Sequence, residues 1–447
     1  MCGLLLAGCQ TATTKNQPAS MAEQRRDNPG TVRFEQWRQT HRKNQPNTLV
    51  KSQHPSDLWS LTRDNLQLEP HIDQASVDTQ LEWYLKHNRY METASEHAAN
   101  YYYFVLNQVL ERDLPAEIAL LPFIESGYNP LALSPSHAAG AWQFIPGTAS
   151  IFGLKNTWWY DGRRDIIQST EAALDYLQYL NERFEGDWLL SLAAYNCGEG
   201  CVARAVKRNA DAGKPTDYWN LSLPRETRRY IPKLIAVARL IKEADQLGVK
   251  LPPLANKPYF AIVDIDGQIE LAKAASLAEV DIEEIKRLNP GFGRWATDPE
   301  GPHRLLVPIA NADRFRDRLK QLPASERVRW ARYKIRAGDT LSQIADRFDT
   351  SVSVIRKSNN LNSNRIRAGN TLLIPSPANT GTVVATADKT LGHRKVHRVS
   401  TGDNLWNIAR RYGVSTEQLA DWNSISDVRS LRPGQDLILY PDSRDPG

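Results

Sequence analysis

The sequence predicts an α+β multidomain protein, an all-α domain followed by small βααβ modules, and three observations carry that expectation. At 447 residues the chain is too long for one ordinary domain. Apolar residues recur at helical spacing from Leu58 to about Ile241, with no alternating runs among them. Beyond residue 330 a pattern of about 45 residues occurs twice, offset by 64 residues at its start and 65 at its closing glycine.

The chain opens with a remnant apolar segment, residues 1–9, in which Leu6-Ala7-Gly8-Cys9 resembles the lipobox of bacterial lipoproteins. The segment lacks a basic start and is short, so the natural start is expected upstream. Cys9 is the expected lipidation site, and Gln10 in place of Asp favours the outer membrane. Residues 10–57, rich in Gln, Asn, Thr, Lys and Arg, read as a tether. No other stretch approaches the ~20 apolar residues of a spanning helix, so the expected attachment is an anchor, with the protein facing the periplasm.

Residues 58–247 form the helical block. Pro115 can open a helix that carries Leu120 and Leu121 up to Glu125. A further helix is expected from about Thr170 to Phe184, and another from Glu226 through Ile241. Arg163-Arg164-Asp165 reads as a structural ion-pair loop. Pro252-Pro253 begins an extended linker. A degenerate copy of the later repeat is placed at 258–310, with Gly267-Gln268 where the repeats have Gly-Asp, and Leu288-Asn289-Pro290 at the Asn position. The two clear repeats occupy 331–376 and 395–441, joined by a linker over 377–394. Each reads strand, helix, helix, strand.

Composition narrows the partners. A net charge of +5 gives nucleic acid little support, and none is expected as a partner. Residues 331–375 carry eight Lys/Arg against three Asp/Glu, which suits an anionic polymer or simply a solvated face. Cys197 and Cys201 stand at i, i+4. Export would allow a disulfide, two buried thiols fit equally well, and no His completes a metal site with them. No metal and no cofactor is expected.

Chemistry concentrates in Ile124-Glu125-Ser126-Gly127-Tyr128-Asn129-Pro130, Ser134, Ala139-Gly140-Ala141-Trp142-Gln143-Phe144-Ile145-Pro146, and Ala194-Tyr195-Asn196. Glu125 closes an apolar helix. A carboxyl group in apolar surroundings is disfavoured as an anion, so its pKa rises and it can hold a proton near neutrality, as cleavage of a glycosidic bond requires. Hydroxyls, amides and aromatic rings around it would bed a sugar chain. Taken singly, Ser134 reads as a loop or capping residue, Tyr195 as a core aromatic and Asn196 as structural. Trp142, Trp158, Trp159, Trp188 and Trp219 read mostly as core.

These motifs resemble two families. Residues 58–247 look like the goose-lysozyme-like helical domain of the lytic murein transglycosylases, and the repeats look like LysM modules. With the lipobox, the whole is similar to the membrane-bound D type of that family. The resemblance implies Glu125 as the single catalytic acid/base, and Ser134, Gln143, Ile145, Tyr195, Asn196, Glu226 and Tyr230 as substrate contacts. Ile145 stands where many relatives have Met, and Cys197 where a small residue is common. It implies a cut between N-acetylmuramic acid and N-acetylglucosamine that leaves a 1,6-anhydro end and consumes no water. In the repeats, Gly338, Asp339, Thr340 and Asn359, and Gly402, Asp403, Asn404 and Asn423, either cap helices or line a groove for acetamido groups. Peptidoglycan is the expected partner. Two rivals remain: a hydrolytic muramidase, for which Asp165, Asp175, Glu199 or Glu226 would supply a second carboxylate, and a silent wall-binding scaffold.

Overall fold

The computed structural model describes Trp37 and residues 57–68, 74–375 and most of 395–439. Cys9, Gly402 and Asn423 lie outside the described residues, as does most of the tether and the linker 377–394. Two compact units result, one ending at Arg327 and the other beginning at Val328.

In the first unit the helices are α1 (Leu58–Asp64), α2 (Ala75–Lys86), α3 (Asn88–Ala98), α4 (Tyr102–Leu110), α5 (Leu121–Ser126), α6 (Pro146–Ile151), α7 (Ile166–Arg183), α8 (Trp188–Cys197), α9 (Glu199–Asp211) and α10 (Thr227–Lys242). Pro115 opens a 3-10 turn, Ala116–Leu120, which passes into α5. α7 begins four residues before the expected start because the Asp165 carboxylate accepts from the backbone N–H groups of Ile167 and Gln168 and fixes the first turn there. Asp187 caps α8 in the same way through Leu190.

α10 is the central helix. Ile231, Leu234, Ile235, Val237, Leu240 and Ile241 are buried along it, too many for a one-sided amphipathic helix. It packs on α2, α8, α1 and the 3-10 turn. Around it Trp59, Tyr102, Phe123 and Tyr128 form an aromatic knot with ring centroids 4.7–5.9 Å apart.

The same unit continues through β1 (Phe260–Asp264), α11 (Leu271–Ala278), α12 (Ile282–Leu288), β2 (Arg304–Pro308) and α13 (Ala312–Gln321), with β1 and β2 antiparallel and Val263 opposite Leu305. The Pro252-Pro253 stretch does not stand away from the helices. Trp59 donates its indole N–H to the Pro252 carbonyl at 2.7 Å, and Leu58 N–H donates to Leu254 at 2.8 Å. Phe260, Leu288 and Leu306 join the core of the helical block.

The second unit holds the repeats: β3 (Trp330–Lys334), α14 (Leu341–Arg347), α15 (Val352–Ser358) and β4 (Thr371–Pro375), then β5 (Lys395–Arg398), α16 (Leu405–Arg411) and β6 (Asp436–Leu439). β3 pairs antiparallel with β4, and β5 with β6. Each repeat has its own small core, built on Ile344, Ile355 and Ile374 in the first and on Ile408, Leu419 and Leu437 in the second.

The polar residues of the repeats are largely spent on their own fold. Thr340 caps α14 in a capping box with Gln343, and Asn404 caps α16 through Asn407 N–H. Asp339 accepts from Tyr333 Oη and Arg336 N–H, each at 2.7 Å; Asp403 likewise accepts from Ser400 N–H and pairs with His397 at 2.8 Å. Those contacts, the Ser400 N–H first, hold the Asp403 carboxyl below its ordinary range. Asn359 ties α15 to β4, donating to Ile355 and Leu373 carbonyls and accepting from Leu373 N–H. Gly338 sits at φ +89°, a left-handed value that a side chain would strain. The side chains of Asp339, Thr340, Asn359, Asp403 and Asn404 thus each tie their own loop or helix end together.

Candidate active site

A cleft of about 530 Å³ opens in the helical block, and Glu125 with all seven expected contacts, Ser134, Gln143, Ile145, Tyr195, Asn196, Glu226 and Tyr230, lines it. They come from the end of α5, the loop before α6, the end of α8 and the start of α10.

Glu125 is placed by a clamped helix end. Gly127 takes φ +59°, closing α5, and its N–H donates to the Phe123 carbonyl. From α3, Tyr90 Oη donates to the Phe123 carbonyl and His97 Nδ1 to the Gly127 carbonyl at 2.9 Å. Ser126 Oγ donates to Ala141 at 2.9 Å, tying the helix end to the opposite wall. Tyr230 Oη donates to Glu125 Oε1 at 2.7 Å.

Burial raises the Glu125 pKa to about 7. The Tyr230 hydrogen bond opposes that shift, the charge of Glu226 adds to it, and Lys233 again opposes it. The carboxyl therefore titrates where an acid that must later act as a base is most useful. Burial first, and then the Glu125 charge, push the hydroxyls of Tyr195 and Tyr230 well above their ordinary values, so both remain proton donors.

The facing wall runs from Ala132 to Ile145. Ser134 Oγ accepts from Ala138 N–H at 2.9 Å and shares a hydrogen bond with Ser136 Oγ at 2.9 Å. Gln143 takes φ +51°, a strained value for a side-chain-bearing residue, and donates Nε2 to the Gly140 carbonyl at 2.8 Å. Tyr195 Oη donates to the Trp142 carbonyl at 3.0 Å, and Asn196 Oδ1 accepts from Thr227 at 2.8 Å. Ile145 is exposed on the lip. Among the described residues, no Trp lines the cleft. Its other rings are Phe144 and Tyr176, and Lys233 supplies a cation there. Tyr176 and Lys233 carry no motif signal and were not expected.

The carboxylates considered as partners separate clearly. Asp165 caps α7 and pairs with Arg304 at 2.9 Å; Asp175 pairs with buried Arg112 at 2.8 Å; Glu199 accepts from Tyr179 at 2.9 Å. Among the described residues only Glu125 and Glu226 bring carboxylates to the cleft lining. Cys197, on the cleft wall, is disulfide-bonded to Cys201, which settles the alternative left open by spacing. The bond staples the corner between α8 and α9, where Gly198 takes φ +89°. Because its loop is short, replacing both cysteines with Ser should cost about 2 kcal/mol, read as a lower urea midpoint with an unchanged slope.

Comparison with known proteins follows this layout. The Transglycosylase SLT domain family matches residues 106–217; the Lytic transglycosylase MltD, LysM-like domain family matches 259–324; and the LysM domain family matches 333–375 and 397–439. The chain is 36% identical over 399 residues to Membrane-bound lytic murein transglycosylase D of Escherichia coli (strain K12), covering 86% of this chain and 85% of that protein. It is also 35% identical over 199 residues to a Putative tributyltin chloride resistance protein of Alteromonas sp. (strain M-1), covering 44% of this chain and 93% of that protein. The family expected from the motifs is thus the family found, with its helical domain and LysM modules. On this likeness across most of its length, the chain belongs to the membrane-bound lytic murein transglycosylase D family and is a lytic transglycosylase with LysM peptidoglycan-binding domains.

Proposed function

We propose that Glu125 is the single acid/base of this enzyme and that the cleft residues hold the glycan strand around it. The observation that carries this is a carboxyl with its pKa raised to about 7, facing a polar cleft and hydrogen-bonded by Tyr230. Protonated Glu125 gives its proton to the oxygen joining N-acetylmuramic acid to N-acetylglucosamine. The muramic 2-acetamido oxygen closes on C1 as that bond breaks, which takes the place of a protein nucleophile. Glu125, now an anion, removes the proton from the same sugar's 6-hydroxyl as that oxygen attacks C1 and expels the acetamido oxygen. The products are a free N-acetylglucosamine end and a 1,6-anhydro end, and the enzyme regains its proton. Gln143, whose Oε1 has no hydrogen-bond donor among the described residues, and Ser134 would receive sugar hydroxyl or amide donors.

Mass spectrometry of digested peptidoglycan tests this directly. Anhydro-muropeptides, lighter by one water than reducing-end products, support the transglycosylase course, and reducing ends would support hydrolysis through Glu226. The pH dependence is equally specific. Because the acid must be protonated, kcat/KM should fall as pH rises through about 7. Tyr230→Phe removes a donor to the carboxylate and should move that limb to higher pH. Glu226→Gln removes a like charge and should move it to lower pH, with activity retained below the limb. A loss of ~10²-fold or more at all pH values in Glu226→Gln would instead identify Glu226 as a water-activating base.

The lipobox-like Leu6-Ala7-Gly8-Cys9 and the membrane-bound relative support acylation at Cys9 and an outer-membrane, periplasm-facing location. No described helix is long and apolar enough to cross a membrane. Metabolic labelling with a fatty-acid probe, lost in Cys9→Ala, tests the anchor. The LysM units would each bind weakly and together hold the enzyme on a repeating polymer.

A further inference from the structure

The LysM-like module matched at 259–324 belongs to the same compact unit as the catalytic helices, and its connections lead to the cleft. In the first clear repeat, the loop before the first helix and the loop after the second meet through Ile335 N–H to Asn370 and Gly369 N–H to Ile335. The module at 259–324 keeps the Asn staple: Asn289 bonds Ile285 and Leu306 as Asn359 bonds Ile355 and Leu373. Its two loops, however, are laced together much further. Thr297 N–H donates to Ile269, Leu271 N–H to Trp295, Ile269 N–H to Thr297 Oγ1, and Gln268 Nε2 to the Thr297 carbonyl. Segment 295–297 is thus bonded along the module's 268–271 loop.

Residues flanking it, from 291 to 298, face the catalytic domain's 155–165 loop. Asp161 N–H donates to Gly291 at 2.8 Å and Gly293 N–H to Trp159 at 3.0 Å. Thr157 Oγ1 donates to Asp298 at 2.6 Å, and the Arg294 guanidinium lies 4.0 Å over the Trp158 ring. Arg304 pairs with Asp165 at 2.9 Å, where Asp165 also caps α7 and accepts from Tyr160 Oη. From this loop the contacts pass to the substrate wall. Asp161 holds Arg163 by a two-pronged ion pair, Arg163 Nη1 donates to the His137 carbonyl at 2.8 Å, and the Arg163 carbonyl packs on Gly140, whose own carbonyl holds Gln143.

We infer that the 259–324 module is a fixed brace of the catalytic cleft, and that Arg304 and Thr157 are positioning residues that set the Ser134–Gln143 wall through the 155–165 loop. This rests on the proposal that Gln143 and its wall bind substrate. Neither Arg304 nor Thr157 lines the cleft, so their loss reaches the substrate only through residues they hold in place, the wall foremost. Because the wall holds glycan in the ground state as well as the transition state, the effect should appear mainly in KM.

The test uses the full chain and soluble uncrosslinked glycan strands. Arg304→Met should raise KM about 5–20-fold with kcat within about threefold, Arg304→Lys should recover most of the loss, and the alkaline limb set by Glu125 should stay in place. Thr157→Val removes one hydroxyl and carries the test if Arg304→Met does not fold; it should raise KM at least about threefold. Folded variants that melt lower yet keep KM within twofold of the parent would overturn the inference. Gln143→Ala separates the two claims. If it raises KM and the brace variants do not, the brace fails alone; if it leaves KM untouched, the wall reading itself fails.

Discussion

Glu125→Gln should reduce turnover of peptidoglycan by at least ~10³-fold while leaving binding to the polymer intact. The carboxamide matches the carboxyl in size and can still accept the Tyr230 hydroxyl, 2.7 Å from Oε1 in the parent. What it lacks is the exchangeable proton, needed once as acid and once as base. In the proposed mechanism one group performs both transfers, so no second carboxylate should compensate, and neither anhydro nor reducing ends should accumulate. Cleavage by Glu125→Gln at even a tenth of the parent rate would remove Glu125 from the mechanism. Polymer binding, measured by co-sedimentation, should remain, since the LysM modules do not depend on this residue.

The same substitution should raise stability at alkaline pH, which an assay of activity alone would miss. A glutamate whose folded pKa lies near 7, against 4.5 in the unfolded chain, binds its proton more tightly when folded. The sign follows from linkage: the favourable contribution is complete below about pH 4.5, and is lost as pH rises through 7. At pH 8 the buried anion therefore costs stability on the order of 2 kcal/mol, allowing for its partial contact with solvent. Glu125→Gln removes that cost, so its melting temperature should exceed the parent's at pH 8 and match it near pH 4. The raised pKa that the proposed mechanism uses is thus held against the stability of the fold.

Much of the site was legible because its residues stand at helix ends and in one loop, each beside a recognisable neighbour. Glu125 follows an apolar run, and Gln143 and Ile145 flank Phe144 in a short motif. The supporting contacts were not legible, since they join residues far apart in the chain. Nothing near Tyr90 or His97 announces that they close the carbonyls of α5, and nothing near Thr227 announces its bond to Asn196. Periodicity located α7 but put its start at Thr170, because the helix begins at a side-chain cap that periodicity does not register. Asp165 was read as part of an ion-pair loop, and it is one, with Arg304; the same carboxylate also caps the helix. The prolines at 252 and 253 suggested an extended linker, and their segment is pinned to the helices by Trp59 from 193 residues away.

Gly140 shows how a residue inside a recognised motif can carry an unread requirement, and Gly140→Ala should be the most damaging one-methyl change in the cleft wall. Its φ of +84° already disfavours any side chain, at about 1–3 kcal/mol. A Cβ there would sit 1.8 Å from the Arg163 carbonyl oxygen and 2.7 Å from its carbon, and both are backbone atoms that no rotamer change can move aside. Relief requires the 132–145 wall to part from the 155–165 loop, breaking the Gly140 N–H bond to Ala132 or the Arg163 bond to His137. We expect a loss of at least about 3 kcal/mol and a melting temperature lower by roughly 10 °C, with little cleavage by the fraction that folds. Gly147→Ala is the matched control, because no atom lies within 4 Å of its added Cβ and the residue sits in the first turn of α6. It should melt within about 2 °C of the parent and cleave normally. If the two alanine variants behaved alike, the close packing of Arg163 on Gly140 would be wrong, and with it the route by which the 155–165 loop reaches Gln143.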